Sequence, residues 1–217
     1  MSELFDCSDP GQRQAGIASA ISALKGGRLV VLPTDTVYGI GADAFDGTAV
    51  AALLAAKGRG RDMPVPVLVG SWHTIDGLVY SVPDAARELI QAFWPGALSL
   101  VVRQAPSLQW DLGDAYGTVM LRMPLHPIAI ELLREVGPMA VSSANISGRP
   151  AAVNAADARE QLADLVEVYL EAGTSVQQAA STIVDLTGAQ PKVLRQGPIT
   201  AAAIADVLGI EAESLAV

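Results

Sequence analysis

Leu32-Pro33-Thr34-Asp35-Thr36-Val37-Tyr38-Gly39-Ile40-Gly41-Ala42-Asp43 follows an apolar run, Leu29-Val30-Val31-Leu32, that reads as a buried strand. The quoted segment places hydroxyls and a carboxylate where that strand should end. Ligands of open α/β sheets sit at that edge. A short apolar helical pattern comes next, then Lys57-Gly58-Arg59-Gly60-Arg61, three cations within five residues of a chain whose formal net charge is −9. Like charges so close repel one another unless an anion, or acidic groups brought in by the fold, lies between them. The cluster therefore reads as a polyphosphate grip, and alternation along an extended segment would put all three cations on one face.

Working outward, Asp9-Pro10 reads as a helix cap followed by proline at the first helical position, with Ile17, Ala20, Ile21 and Leu24 at helix spacing until Gly26-Gly27. Gly39 and Gly41 suggest a sharp turn or a close backbone approach to a ligand, and Thr48 a cap for the helix Ala49–Ala56. Further strands are expected at Val65–Val69, Leu98–Val102, Thr118–Met123, Met139–Ser142 and Glu167–Leu170, with a hairpin of Ser181–Leu186 and Lys192–Leu194. Helices are expected at Ser71–Val79, Pro83–Phe93, Ile128–Val136 and Ala155–Leu165, and from a Thr200 cap to Gly209. Strands and helices interleave without repeat or linker. The expected fold is one α/β domain with a large, twisted, mixed β-sheet flanked by helices.

The 217 residues are 51% hydrophobic and 17% charged, the composition of a compact folded chain. No apolar stretch reaches the ~18 residues of a membrane helix, and the N-terminus has no signal-peptide pattern. Both lead to the expectation of a cytoplasmic protein. Cys7 is the sole cysteine, so an intrachain disulfide is impossible, and its sequence setting favours a structural role. A pI near 4.6 speaks against tight non-specific nucleic-acid binding.

Standard nucleotide motifs are missing: there is no P-loop, and Gly39-Ile40-Gly41 lacks the third glycine of a dinucleotide loop. His73 and His126 are not at metal-binding spacing. What remains is Lys57, Arg59, Arg122 and Arg195 beside strands, with Thr34, Thr36, Ser143, Asn145 and Ser181 as small polar groups. Such a set suits phosphoryl or nucleotidyl transfer, which demands positioning and charge neutralisation more than a covalent nucleophile. Taken singly, Arg122 or Arg195 reads more readily as a surface ion pair. The three tryptophans read as core or hinge packing, His126 as a helix-start residue, and Ser142-Ser143-Ala144-Asn145 equally as a simple turn.

Six segments nevertheless stand in one order: Pro33-Thr34-Asp35-Thr36-Val37-Tyr38-Gly39-Ile40-Gly41, Lys57-Gly58-Arg59, Arg122-Met123-Pro124-Leu125-His126-Pro127, Ser142-Ser143-Ala144-Asn145-Ile146-Ser147-Gly148, Ser181-Thr182-Ile183-Val184-Asp185 and Leu194-Arg195-Gln196-Gly197. In this the chain resembles the YrdC-like family, over residues 12–208, and its short single-domain threonylcarbamoyl-adenylate synthases in particular. The resemblance implies a nucleotidyltransferase joining L-threonine, bicarbonate and ATP, with Mg²⁺, into threonylcarbamoyl-AMP and pyrophosphate. The product would feed threonylcarbamoyladenosine formation at position 37 of tRNA, through transient contact with a downstream transferase. Lys57 and Arg59 would be catalytic. ATP would meet Lys57, Arg59, Arg61, Thr118, Asn145 and Arg195, and threonine would meet Thr34, Thr36, Tyr38, Arg122, Ser143 and Ser181. No residue is assigned to hold a metal, and tRNA binding is expected to be weak or absent. The chain departs from the family pattern at Gly60 and Met63, where relatives carry proline and a second lysine, whose charge Arg61 would replace. Leu68 stands where some relatives have a histidine, and the extra C-terminal domain of longer relatives is not expected. An RNA-binding or ribosome-maturation factor of the same fold is the alternative.

Overall fold

The structure is a computed structural model and describes residues 2–215. Ten strands form one sheet: β1 (Glu3–Asp6), β2 (Val30–Leu32), β3 (Gly39–Asp43), β4 (Val67–Leu68), β5 (Leu98–Arg103), β6 (Thr118–Arg122), β7 (Met139–Ser143), β8 (Val168–Glu171), β9 (Thr182–Asp185) and β10 (Lys192–Arg195). The helices are α1 (Pro10–Lys25), α2 (Gly47–Ala56), α3 (Asp84–Phe93), α4 (Pro127–Val136), α5 (Ala155–Leu162) and α6 (Ala201–Leu208). The strand order β1-β8-β2-β3-β7-β4-β6-β5-β9-β10 mixes parallel and antiparallel pairs, as the interleaved sequence predicts.

Helices lie against both faces of the sheet, and its central strands β2, β3, β4 and β7 are apolar on both sides as such burial requires, whereas edge strands β1 and β10 are largely exposed. Successive side chains alternate between two cores. Val30 and Leu32 pack with Ala20 and Leu24 of α1 and Leu132 of α4, whereas Leu29 and Val31 join Leu53 of α2 and Leu89 of α3 on the other side. Met139 and Val141 likewise share a core with α1 and α4, while Ala140 between them faces the opposite one.

Several expectations need correction. Gly39 and Gly41 do not turn the chain; they lie within β3, paired with Ser143 and Val141 of β7. Their lack of a side chain lets the neighbouring strand's residues lie over the backbone, for a Cβ at Gly39 would sit 2.6 Å from Val141 Cγ1 and one at Gly41 2.6 Å from Met139 Cε. The cap of α2 is Asp46, not Thr48, since the Asp46 carboxylate accepts the N–H groups of Thr48 and Ala49 at 2.9 and 3.1 Å. Ser71–Val79 forms only a 3₁₀ segment over Trp72–Gly77. Edge strand β1 was not expected, because Glu3-Leu4-Phe5-Asp6 gains its partner only when β8 lies alongside.

Candidate functional site

One cavity of about 200 Å³ gathers the polar groups that the sequence singled out. Thr34, Thr36 and Tyr38 enter from the β2–β3 connection, Arg122 and Met120 from β6, Ser142 and Ser143 from β7, Arg59 from the loop after α2, and Ser181 and Arg195 from around β9 and β10. The site is not confined to the strand-end edge. Leu68, Ser99, Val141 and Ile183 also line it, so it lies over the sheet face. Leu68 and Val141 also belong to the core beneath α1 and α4, which places the cavity beside the area those helices cover.

Arg122 is 6% exposed and fixed on three sides. Its Nε donates to Gly96 O at 2.8 Å, Nη1 to Thr36 Oγ1 at 2.8 Å, and Nη2 to Asp35 Oδ1 at 2.6 Å. Thr34 gives its own hydroxyl proton to Val37 O at 2.6 Å and lies 3.0 Å from Thr36 Oγ1, so the Thr36 hydroxyl donates to Thr34 while accepting from Arg122. A guanidinium has five N–H donors. Three are committed to protein, which leaves one on each terminal nitrogen. Burial pulls the Arg122 pKa down and the Asp35 charge offsets part of that pull. The surface ion pair that Arg122 suggested is thus a buried one.

Arg59 and Arg195 are different. Neither has a carboxylate partner among the described residues. The buried Arg59 Nε has no hydrogen-bond acceptor, and Nη1 reaches Ser142 Oγ only at 3.5 Å. Arg195 donates to Ser181 O at 2.9 Å and Ser181 Oγ at 3.1 Å, and burial followed by the Arg59 charge lowers its pKa. No acidic residue lines the cavity. Two guanidiniums facing one space without a counter-charge form a site for an anion.

Lys57 does not reach the cavity as a grip on a ligand. It is 1% exposed, with Nζ donating to Ser143 O and, at 2.8 Å, to Asn145 O; Asn145 Oδ1 lies at 3.4 Å. Burial, then Arg59, pushes its pKa down to about 8. Lys57 clamps the turn after β7. Asn145 is likewise engaged inside that turn, donating to Ile146 O and Arg149 O at 2.9 and 2.8 Å.

Two other candidates, Arg61 and Thr118, are placed elsewhere, and the hydroxyl of a third, Tyr38, is taken up by protein. Arg61 does not share a face with Lys57 and Arg59: it makes a forked pair with Asp111 at 2.8 and 2.9 Å and a second contact with Asp114 at 3.3 Å, at the surface. Gly60 and the exposed loop let it swing to those carboxylates, which the sequence could not show as neighbours. Thr118 gives its hydroxyl to Ala115 O at 2.7 Å and is outside the cavity. Tyr38 is among the residues that line the cavity, but its hydroxyl donates to Gly173 O at 2.8 Å and accepts from Ala172 N at 2.9 Å, and burial raises its pKa.

Ser99 was missed. It is 3% exposed, lines the cavity and lies 2.8 Å from Ser181 Oγ. A serine alternating with leucines in Leu98-Ser99-Leu100 is the one signal that could have found it. Cys7 is buried, and its thiol is pushed up to about 11 by that burial, in keeping with a structural role. His126 precedes α4 as a helix-start residue, with Nδ1 unpartnered. Trp94 is core, whereas Trp72 is 48% exposed and stacked on His73.

A mixed α/β sheet carrying a compact cavity of three arginines and several hydroxyls, without an acidic lining residue, defines an anion-binding α/β protein. Residues 22–197 match the family described as Telomere recombination, that of Sua5, YciO and YrdC, and the chain belongs to that family. A Mycobacterium tuberculosis protein provisionally named a threonylcarbamoyl-AMP synthase is 77% identical over 215 residues, covering 99% of each chain. Among solved structures, Sua5 of Pyrococcus abyssi complexed with L-threonine aligns with TM-score 0.86 at 36% identity, over 89% of this chain and 57% of that one. A double variant of the same Sua5 aligns with TM-score 0.91 at 33% identity, over 96% of this chain and 61% of the other. The chain therefore spans about three-fifths of the length of those two structures.

Proposed function

We propose that this chain is an L-threonylcarbamoyladenylate synthase, a nucleotidyltransferase serving threonylcarbamoyladenosine formation at position 37 of tRNA. The observation that carries the reading is the division of the cavity. Arg122 keeps one free N–H on each terminal nitrogen, donors that can be offered to a carboxylate. Arg59 and Arg195 carry uncompensated charge facing the same space. The first suits the threonine carboxylate and the second the phosphates of ATP. The relatives' names, and the threonine in the Pyrococcus abyssi complex, support the same assignment.

In the reaction the threonine amine and bicarbonate form a carbamate with loss of water. A carbamate oxygen attacks the α-phosphorus, and the bond to the β-phosphate oxygen breaks as pyrophosphate leaves. Arg59 and Arg195 neutralise phosphate charge, Arg122 holds the amino acid, and Ser181 and Ser143 offer hydroxyls beside it. Lys57 acts by holding the Ser143–Asn145 turn in place. Orienting two reactants contributes roughly 7–11 kcal/mol when geometry is good.

Mg²⁺ enters as part of the nucleotide substrate. No cluster of three or more His, Cys, Asp or Glu side chains among the described residues is placed to hold a metal. Asp35 is tied to Arg122, and Asp43 accepts the N–H of Phe45 at 2.9 Å.

No helix among the described residues is long and apolar enough to cross a membrane, and we place the reaction in the cytoplasm, where ATP and tRNA are available. The RNA-binding alternative is not favoured, since a net charge of −9 opposes phosphate-driven binding. Pyrophosphate release with Mg-ATP, omitting threonine or bicarbonate in turn, tests the proposal. Release that requires both, with the adenylate seen by mass, is expected; release indifferent to threonine would overturn it.

A further inference from the structure

Beyond the residues already given roles stands Asp35, a carboxylate 8% exposed, beside the cavity but outside its lining. Its Oδ1 accepts Arg122 Nη2 at 2.6 Å and the N–H of Leu125 at 2.9 Å. Its main-chain carbonyl accepts the N–H of Gln177 at 3.1 Å. One residue thereby joins the β2–β3 connection to the end of β6, to the loop before α4, and to the segment that leads into Ser181.

We infer that Asp35 is a positioning residue for substrate recognition: it holds the Arg122 guanidinium at the tilt in which its free terminal donors face the amino-acid carboxylate. Arg122 can present its donors along more than one edge, and an edge is available only when protein does not occupy it. Gly96 O takes the Nε donor, Thr36 Oγ1 takes one of Nη1, and Asp35 takes one of Nη2. The pair left over, one on each terminal nitrogen, is the only pair that can still fork to a single carboxylate. Remove Asp35 and Nη2 has two free donors, so the guanidinium can tilt about its remaining bonds to Gly96 and Thr36. Leu125 N loses its acceptor at the same time, which frees the loop after β6.

Two other roles for Asp35 predict different outcomes. If its charge mainly weakened Arg122's attraction for the substrate, removing that charge would tighten threonine binding. If Asp35 served only stability, its loss would act on every substrate alike.

The inference rests on the synthase reading, and wild-type enzyme measured in parallel separates the two. The test is the kcat/KM of pyrophosphate release for L-threonine and for L-threoninol, which lacks the carboxylate, in wild type and in Asp35→Ala. The expected result is a rise in threonine KM of about tenfold or more, with ATP KM within about threefold of wild type and a collapsed preference for threonine over threoninol. A threonine KM that stays or falls, or a parallel loss with both substrates that leaves the preference intact, overturns the inference. Should Asp35→Ala fail to fold, Asp35→Glu keeps the charge and displaces the oxygen by one methylene; an unchanged preference in that variant also overturns it. Wild type that releases pyrophosphate without regard to threonine overturns the synthase reading itself, and this inference with it.

Discussion

Lys57 shows how burial changes the meaning of a charged side chain. An ammonium has three donors, and in this chain they point at Ser143 O, Asn145 O and, more distantly, Asn145 Oδ1. With its pKa pushed down to about 8 from 10.5, Lys57 loses its proton at an accessible pH. The clamp weakens there, so we expect an alkaline limb near pH 8 in the rate of pyrophosphate release, absent from the low residual activity of Lys57→Met. Stability moves the other way. The folded-state pKa lies below the unfolded one, so between about 8 and 10.5 the unfolded chain binds more protons, and this group's contribution to stability rises with pH across that window. Urea unfolding at several pH values, beside the rate profile, checks the two opposite signs. Arg122→Lys is expected to raise threonine KM about tenfold or more while leaving ATP KM little changed, because lysine cannot make the fork. Arg61→Gln should leave turnover within about twofold, since its partners Asp111 and Asp114 are at the surface.

Between elements, the close approaches made by glycines position the site. Just beyond β10, Gly197 packs against the entry to β9, where a Cβ would sit 2.5 Å from Thr182 N and 2.6 Å from Ser181 C. Thr182, fully buried, accepts the N–H groups of Gly197 and Ile199 at 2.9 and 3.1 Å and donates to Ile199 O at 2.7 Å. Gly197→Ala forces backbone against backbone beside Ser181 and Arg195. We expect it to cost about 1–3 kcal/mol or more, as overpacking does, and to reduce turnover as well. Gly39→Ala should cost more than Gly41→Ala: the obstacle at Gly39 is the stiff, β-branched Val141, whereas the nearest atom at Gly41 is the flexible end of Met139. Thermal melts of the three variants, with rate measurements on each, test this ranking.

Across the whole molecule, the connection from β8 to β9 ties the two halves of the sheet together. β8 is second and β9 ninth in the strand order. Seven inter-strand steps of ~4.8 Å would span ~34 Å in a flat sheet, and the residues from Glu171 to Thr182 reach at most ~36–40 Å when fully extended. The connection is not fully extended, since Gly173 and Gln178 have φ of 79° and 49°. The sheet must therefore coil, bringing Ser181 and Arg59 to one cavity, as the twist of β-strands favours. Deleting Gln178 and Ala179 should abolish most turnover by drawing Ser181 away. Inserting two residues there should cost little stability, because loop closure grows slowly with length. Circular dichroism and the pyrophosphate assay distinguish these outcomes.

The sequence alone determined the interleaved α/β order, the limits of most elements, and the set of polar residues from Thr34 to Arg195, because periodicity, caps and ordered motifs are local properties. It identified Arg59, Arg122, Ser143 and Ser181, all of which line one cavity. Only the tertiary structure decided what those groups can do. Arg59 and Arg61 lie two residues apart, yet one faces the cavity uncompensated and the other is neutralised by Asp111, fifty residues away in sequence. Lys57 became a clamp because the fold buried it against two carbonyls. Asp35 became the partner of Arg122 because β6 ends beside the β2–β3 connection. Charge and hydrogen-bonding capacity belong to the residue, but the acceptors and counter-charges that give them a use come from distant parts of the chain.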